Sequence, residues 1–497
     1  MAGQQLGVVA AGHPRTARAG ADVLRHGGNA VDAALAAMAV SFACEPLLTG
    51  LGAGGYMLVV APNGSQTLLD FFVEAPGRGI DLTAHGELEP IDVSFGDAIQ
   101  VFNIGEASVG AYGVPAGLCE AAARFGSVPL ADLVAPGARL AREGVELNAQ
   151  QAYVVEILGG IVTATPESRA LFAPEGRLLQ AGERIRQPEL GDALERLGAE
   201  GSAPFYTGDI AAAIVDWLAG AGALLTAEDL AAYEVVEREP IRVRYRDREV
   251  LTNAPPSAGG ILIAHALALL DVEPGPPTIE AIVEVMERTQ NERTPEFLEG
   301  LADPQFVRRF LGRSGKLGST THIAVLDREG WACSVTCSNG ASSGIVVPGT
   351  GLHLNNMLGE QDLNPLGFHQ HPPGRRLPSM MAPTMALRDG VPELALGSAG
   401  SNRIRSAILQ TIVHVVDDGL RAGDAVRAPR VHFEDGVVYA EPGIDTAALE
   451  AAGREISRFR ERNLFFGGVQ AVERDAEGRF WGGGDPRRGG AAIVVES

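Results

Sequence analysis

The stretch "KLGSTTHIAVLDREGWACSVTCSNG", Lys316 to Gly340, constrains the chain more tightly than any other. Arg328-Glu329-Gly330 separates two runs of alternating character, and a three-residue hairpin loop closes with a glycine in the left-handed region. Asp327 then pairs with Trp331, Val325 with Cys333 and Thr320 with Ser338. In this register Ile323, Val325, Trp331, Cys333, Val335 and Cys337 share one face. Thr320, His322, Ser334, Thr336 and Ser338 share the other. A slip of one residue would mix apolar and hydroxyl side chains on both faces, so the register is strongly specified. The hydroxyl face has two readings: a half-exposed hairpin whose threonines face water, or the wall of a reaction site.

The chemistry open to Thr320 argues for the site. A threonine hydroxyl is a poor nucleophile. At a chain end, however, the α-amine, with a pKa of about 7.7–8.0, serves as its own general base near neutral pH. Cleavage before Thr320 would create that end. Ser338 stands across the ladder where it would orient the Thr320 hydroxyl, and Gly318 gives the preceding bond room for a strained geometry.

Three further stretches have the texture of site parts. "PGTGLHLNN" (Pro348–Asn356) is a glycine turn running into paired amides, and "GRRLPSMMAPT" (Gly374–Thr384) presents Ser379 before a strand. "LALGSAGSNRIRSAIL" (Leu394–Leu409) reads strand, small-residue turn, helix. Consecutive backbone N–H groups at such a helix start suit an oxyanion, although a Gly-Ser turn before a helix also serves as a plain cap.

Elsewhere, "ARAGADVLRHGGNAVDAALAAMAVSF" (Ala17–Phe42) predicts two helices broken at Gly27-Gly28, the second apolar nearly all round and therefore buried. "GYMLVVAP" and "QTLLDFFVEAP" predict strands. Pro115 to about Val235 reads as mostly helical. A strand from Glu249 meets a Pro/Gly turn at Pro255–Gly260 and then a helix, and Ser406–Leu420 predicts another helix. The C-terminal stretch from Gly467 predicts strands around a turn.

A net charge of −22 disfavours nucleic acid and anionic membranes as partners. With 46% hydrophobic residues the chain has material for a large core. The N-terminus lacks the pattern of a signal peptide and no run of about 18 apolar residues occurs, so a cytoplasmic location is expected. Four cysteines are too few for a disulfide scaffold. No cofactor and no metal ion are expected: "HQH" (His369–His371) has no acidic or cysteine partner at suitable spacing and reads as an exposed loop. "GASSG" (Gly340–Gly344) matches a nucleophile elbow, which must enter a helix, but "IVVPGTG" follows it. "GLGAGG" (Gly50–Gly55) matches a dinucleotide fingerprint, yet it leads into a strand pattern. His322 reads as structural, and Cys333 and Cys337 as inert core thiols.

Taken in order, "GGNAVDAALA", "EPLLTGLGAGGYMLV", "DFFVEAPGR", "NAPPSAGG", "STTHIAVLDREG", "SVTCSNG", "VPGTGLHLNN", "RRLPSMMAPT" and "GSAGSNRI" span nearly the whole chain. Together they resemble the gamma-glutamyltranspeptidase family of N-terminal-nucleophile hydrolases. The resemblance implies an α+β fold, a four-layer αββα sandwich. It implies self-cleavage between Ser319 and Thr320, giving a large part, 1–319, and a small part, 320–497, of one folded body. It makes Thr320 the nucleophile, Ser338 its orienting hydroxyl, and Gly400 and Ser401 the oxyanion hole.

The substrate residues that the resemblance implies carry over less completely. The arginine expected to grip a glutamyl α-carboxylate is replaced by Asp81, with Arg78 nearby but offset. The aspartate expected to hold the substrate amine corresponds to Glu360, and the serine pair to Ser379 and Met380. Asn339 stands for the family asparagine in a loop about two residues shorter than usual, and Met357 follows the paired amides. Three functions stay open: a γ-glutamyl hydrolase or transpeptidase, a related acylase with another acyl substrate, and an unprocessed, non-catalytic binding scaffold.

Overall fold

The computed structural model describes residues 3–94, 99–272, 274–291, 321–361, 363–364 and 367–497. The strands of its two large sheets are β1 (Gln5–Ala11), β2 (Gly54–Val60), β3 (Gln66–Phe71), β4 (Val236–Arg238), β5 (Ile241–Tyr245), β6 (Arg248–Thr252), β7 (Thr321–Asp327), β8 (Ala332–Ser338), β9 (Thr384–Arg388), β10 (Val391–Ala399), β11 (Gly468–Arg474), β12 (Phe480–Gly484) and β13 (Ala491–Glu496). Among the described residues one sheet runs β13-β1-β7-β8-β2-β3-β4 and the other β12-β11-β10-β9-β6-β5.

Three apolar clusters show how the layers stack. One joins the outer face of the first sheet (Val9, Met57, Ile323, Val335) to a helical layer that includes α1 (Pro14–Arg25) and α2 (Ala30–Cys44). A second joins the other sheet (Ala386, Leu396, Val469) to helices Ala258–Leu270, Ile279–Asn291 and Arg403–Val416. The third lies between the sheets and holds Val8, Leu58, Ala324, Met385 and Ala395. The fold is therefore the expected αββα sandwich.

Local chemistry accounts for the first helical layer. Asn29 caps α2 by accepting from Val31 N and Asp32 N, while Asp32 accepts from Asn29 N, a reciprocal capping box. Every residue of α2 is buried, as its uniform apolarity predicts. Its alanines admit close neighbours: a Cβ on Gly137 of helix Leu130–Glu143 would stand 2.5 Å from Ala39 O.

The hairpin has the expected register, from Thr321 opposite Cys337 to Leu326 opposite Ala332, and Gly330 takes φ +97°. One correction is large. Every residue of β7 and β8 is buried, so the reading with threonines facing water is wrong. The hydroxyl face looks onto the second sheet, with Ser334 donating to Leu396 O at 3.1 Å.

Two features lay outside the sequence reading. β1, not anticipated as a strand, pairs with β7 on one side and β13 on the other. The C-terminal stretch is also not a simple hairpin. β11 and β12 belong to the second sheet, and the chain then crosses through Asp485–Gly490 to place β13 in the first. Both sheets thus contain strands from before and after residue 320, the proposed boundary of the two parts, and in the first sheet they interleave.

Candidate active site

Ser338 ends β8 and is fully buried, with its Oγ accepting from Gly340 N at 2.9 Å. Gly340 has φ +66°, and a Cβ there would stand 2.1 Å from Asn356 Oδ1 and 2.6 Å from Glu360 Oε1. No other residue type fits so close an approach. Ala341 N donates to both oxygens, at 2.9 Å to Asn356 and 3.1 Å to Glu360. One tight turn therefore gathers Ser338, Asn339, Asn356 and Glu360. Thr320 and the Ser319–Thr320 bond lie outside the described residues.

The second wall is the turn after β10. Gly400 has φ +117°, and a Cβ on it would stand 2.7 Å from Gly467 Cα. Ser401 is fully buried with φ +56°, a conformation costly for a side chain and concentrated at functional positions. Their carbonyls accept from Arg403 N at 3.0 Å and Ile404 N at 3.1 Å, which fixes the turn at the start of helix Arg403–Val416. Gln100 Nε2 approaches Ser401 Oγ at 3.5 Å from a separate hairpin.

β10 is aligned on the hairpin by a contact close to both walls. A Cβ on Gly397 would stand 2.4 Å from His322 Nδ1. The His322 ring meets Thr336 Oγ1 at 2.8 Å and Ser334 Oγ at 3.4 Å, and Ser334 donates to Leu396 O at 3.1 Å. Burial lowers the His322 pKa to about 3, so the ring is neutral and structural.

The proposed substrate residues separate into three groups. Asn339 and Glu360 stand beside Ser338. Asn339 Nδ2 donates to His353 O at 3.0 Å, while its buried Oδ1 has no partner among the described residues. Ser379 is buried, with its Oγ accepting from Met381 N at 3.0 Å and its carbonyl from Ala258 N at 2.8 Å. Met380 corrects the expectation: its side chain packs in the outer core with Ile261 and Leu396, because adjacent residues of an extended segment point to opposite faces.

Arg78 also departs from the expected role. Its guanidinium meets Asp229 Oδ1 at 3.2 Å and Glu74 Oε2 at 3.4 Å, and its backbone N–H donates to the same Asp229 oxygen. Asp81 is exposed and turned away, accepting from Thr83 N at 2.9 Å as the cap of a short helical turn. Met357 is core, in the cluster between the sheets.

The competing motifs resolve as turns. Gly340–Gly344 enters the short strand Val346–Val347 rather than a helix, and Gly50–Gly55 enters β2. His369 and His371 are not exposed as expected. They face Ala107 O at 2.9 Å and Leu363 O at 3.3 Å, and no metal-binding cluster is found among the described residues. Cys333 and Cys337 are buried, and burial pushes both thiols well above their usual pKa.

Sequence reasoning missed Glu45 and Arg488. Glu45 Oε1 accepts from Thr321 Oγ1 at 3.0 Å, and Arg488 Nη2 lies 3.3 Å from where a Gly400 Cβ would be. Glu45 opens one of the quoted motifs and Arg488 lies in none of them, and nothing in local spacing joins positions so far apart in the chain.

The sequence pattern of the Gamma-glutamyltranspeptidase family matches residues 16–313 and 311–495. The Acylase ACY 1 proenzyme of Pseudomonas sp. (strain SE83) is 30% identical, over 98% of this chain and 93% of its own length. The Glutathione hydrolase proenzyme of Escherichia coli (strain K12) is 32% identical, over 97% of this chain and 90% of its own. Among solved structures, a cephalosporin acylase from Bacillus halodurans has a TM-score of 0.84 at 27% identity, covering 100% of this chain and 97% of that one.

Proposed function

The chain belongs to the gamma-glutamyltranspeptidase family, and we propose that it cuts itself before Thr320 and opens amides through an acyl-threonine intermediate. Thr320 Oγ attacks the amide carbonyl carbon while its proton passes to the Thr320 α-amine. The resulting oxyanion is held by the backbone N–H groups of Gly400 and Ser401. As the C–N bond breaks, the α-amine returns the proton to the leaving nitrogen. Water or an acceptor amine then attacks the ester and gives its proton to the α-amine, which passes it to Thr320 Oγ as the acyl C–O bond breaks, releasing the acid or new amide and restoring the threonine hydroxyl. Ser338, buried at the hairpin end, orients the nucleophile.

The acyl group is an amide acyl that carries an amine and needs no α-carboxylate. The observation behind this is the commitment of Arg78 to Asp229 and Glu74, with Asp81 exposed and Met380 in the core. Glu360 and Asn339 offer oxygens to an ammonium. A γ-glutamyl group would bring a carboxylate to a site where none of these positions meets it, at a cost of several kcal/mol. Similarity to an acylase proenzyme over 98% of the chain supports this reading. Comparable similarity to a glutathione hydrolase proenzyme keeps γ-glutamyl amides as the second reading.

Three anilides separate the readings: γ-glutamyl, 4-aminobutyryl (the same acyl without its α-carboxylate) and glutaryl (the same acyl without its amine). The expected order of kcat/KM places 4-aminobutyryl at or above γ-glutamyl, and glutaryl last. A strong preference for γ-glutamyl overturns the acyl assignment. Turnover by Thr320→Ala at the wild-type rate overturns the mechanism.

A further inference from the structure

The C-terminal end of α2 delivers a carboxylate to the start of the nucleophile-bearing strand. Glu45 is the residue after α2 and is only 3% exposed. Its Oε1 accepts from Thr321 Oγ1 at 3.0 Å, and Thr321 directly follows Thr320 in the chain. Its Oε2 is buried with no hydrogen-bond partner among the described residues. The backbone makes room for this carboxyl: a Cβ on Gly12 would stand 2.3 Å from Glu45 Oε1 and 3.1 Å from Thr321 Oγ1.

A cation stands on the far side. Arg488 lines the same crevice as Glu45, with Leu47, Leu48, Leu147 and Gln151. Its Nε is buried without a partner among the described residues, and its Nη2 lies 3.3 Å from the position of a Gly400 Cβ. Glu45 thus touches the first residue of β7, Arg488 approaches the turn that carries Gly400 and Ser401, and the two share one crevice. A buried carboxylate with one oxygen unbonded carries a desolvation cost, and a purely structural anchor for a threonine needs no charge.

We propose that Glu45 is a positioning residue for the Thr320 reaction, acting through Thr321 and set against the oxyanion turn by Arg488. The inference rests on the reading of Thr320 as nucleophile. The charged form of Glu45 holds the Thr321 hydroxyl, whereas a protonated carboxyl offers a competing donor and loosens that hold.

Burial raises the Glu45 pKa to about 7, against smaller opposing effects of Thr321 and Arg488. Thr16 and the Cys44 thiol face the same carboxyl, and Arg403 and Asp485 face Arg488. Burial thus brings Glu45 into the neutral range in which the N-terminal amine, with a reference pKa of about 7.7–8.0, also loses its proton. Two groups must then lose protons for full activity.

The test is the pH profile of kcat/KM on the cleaved enzyme, with wild type, Glu45→Gln, Thr321→Val and Thr321→Ser. The acid limb of wild type should steepen towards a slope of about 2, and that of Glu45→Gln should fall to about 1. At pH 8, Glu45→Gln and Thr321→Val should each lose roughly tenfold in kcat with KM within about twofold, the loss expected for one charge-assisted hydrogen bond. The double variant should lose no more than either single one, and Thr321→Ser should recover most of the activity. Thermal melts establish that the variants fold, and Thr321→Val stands in if Glu45→Gln does not. A cleaved, active wild type whose profile is unchanged in Glu45→Gln overturns this inference alone. An uncleaved, inactive wild type overturns the nucleophile reading and this inference with it.

Discussion

His322 on β7 and Gly397 on β10 touch across the gap between the two sheets, with an added Gly397 Cβ falling 2.4 Å from Nδ1 and 2.5 Å from Cε1 of the ring. The contact sets the height of the Gly400–Ser401 turn, three residues beyond Gly397, against the hairpin. Gly397→Ala should destabilise the fold by about 1–3 kcal/mol, the usual cost of overpacking a closed core. His322→Ala should relieve most of that cost in the double variant. Urea unfolding midpoints of the four proteins check this, and an additive double variant would rule the contact out as the cause.

Maturation should leave one particle. Wild-type protein should resolve on a denaturing gel into fragments 1–319 and 320–497, with Thr320 at the new N-terminus by Edman sequencing. Thr320→Ala should remain one chain. Because both sheets join strands from both fragments, the cut protein should elute at the size of the uncut variant. A wild type that stays full length after prolonged incubation favours the scaffold reading.

Ser401 separates side chain from backbone. With φ +56°, glycine at this position removes strain, so Ser401→Gly should keep kcat within about threefold and raise stability by about 0.4–1 kcal/mol or leave it unchanged. Proline, locked near φ −65°, cannot take this conformation. Ser401→Pro should therefore lose stability as well as roughly 10²–10³ in kcat, the scale of one lost oxyanion donor. Circular dichroism with steady-state kinetics distinguishes the two effects. A fully active proline variant would take this turn out of the mechanism.

Acid should unfold the protein through its buried imidazoles. Burial lowers His322 to about 3 and His13 and His353 to about 4. The unfolded chain binds these protons below about pH 6.5, whereas the folded chain does not until pH falls to 3–4. Stability from these groups is complete above pH 6.5 and is lost as pH falls towards 4. Glu45, raised to about 7, opposes the trend by one proton between about pH 4.5 and 7. His322→Gln should reduce the slope of unfolding free energy against pH by about 1.4 kcal/mol per unit near pH 5. Urea titrations at several pH values measure that slope directly.

Arg78→Ala should act on the scaffold and leave specificity alone. Asp229 keeps its bonds from Gly77 N at 2.8 Å and Thr226 N at 3.0 Å when the guanidinium is removed. The Arg78 side chain is 23% exposed, so the loss in stability should be modest, about 1 kcal/mol. The ratio of kcat/KM for γ-glutamyl and 4-aminobutyryl anilides should be unchanged. Loss of a γ-glutamyl preference in this variant would mean that Arg78 does reach the substrate.

The elements legible in the sequence were those whose cause is local. The Asp327–Trp331 loop, the period-two alternation on either side of it and the glycine at 330 specify a register over a dozen residues without outside help. α2 announces its burial because it is apolar on every side, and its start because Gly27-Gly28 break the helical pattern before it. The four layers were implied by the family resemblance that the ordered motifs carry.

What tertiary structure alone decided depends on which distant surfaces meet. A hydroxyl-rich strand face looks the same in sequence whether it meets water or another sheet. Here β10 covers it, and a single glycine at 397 admits the His322 ring. Arg78 stood two residues past the family's proline and seemed free to substitute for the missing arginine. Asp229, far along the chain, holds it instead, because a partly buried guanidinium settles on the nearest carboxylates. Ser379 and Met380 were adjacent letters, but an extended backbone sends them to opposite faces. Glu45 and Arg488 are more than four hundred residues apart, and only the crossing of the C-terminal strand from one sheet to the other sets both of them at the same crevice beside Thr321 and Gly400.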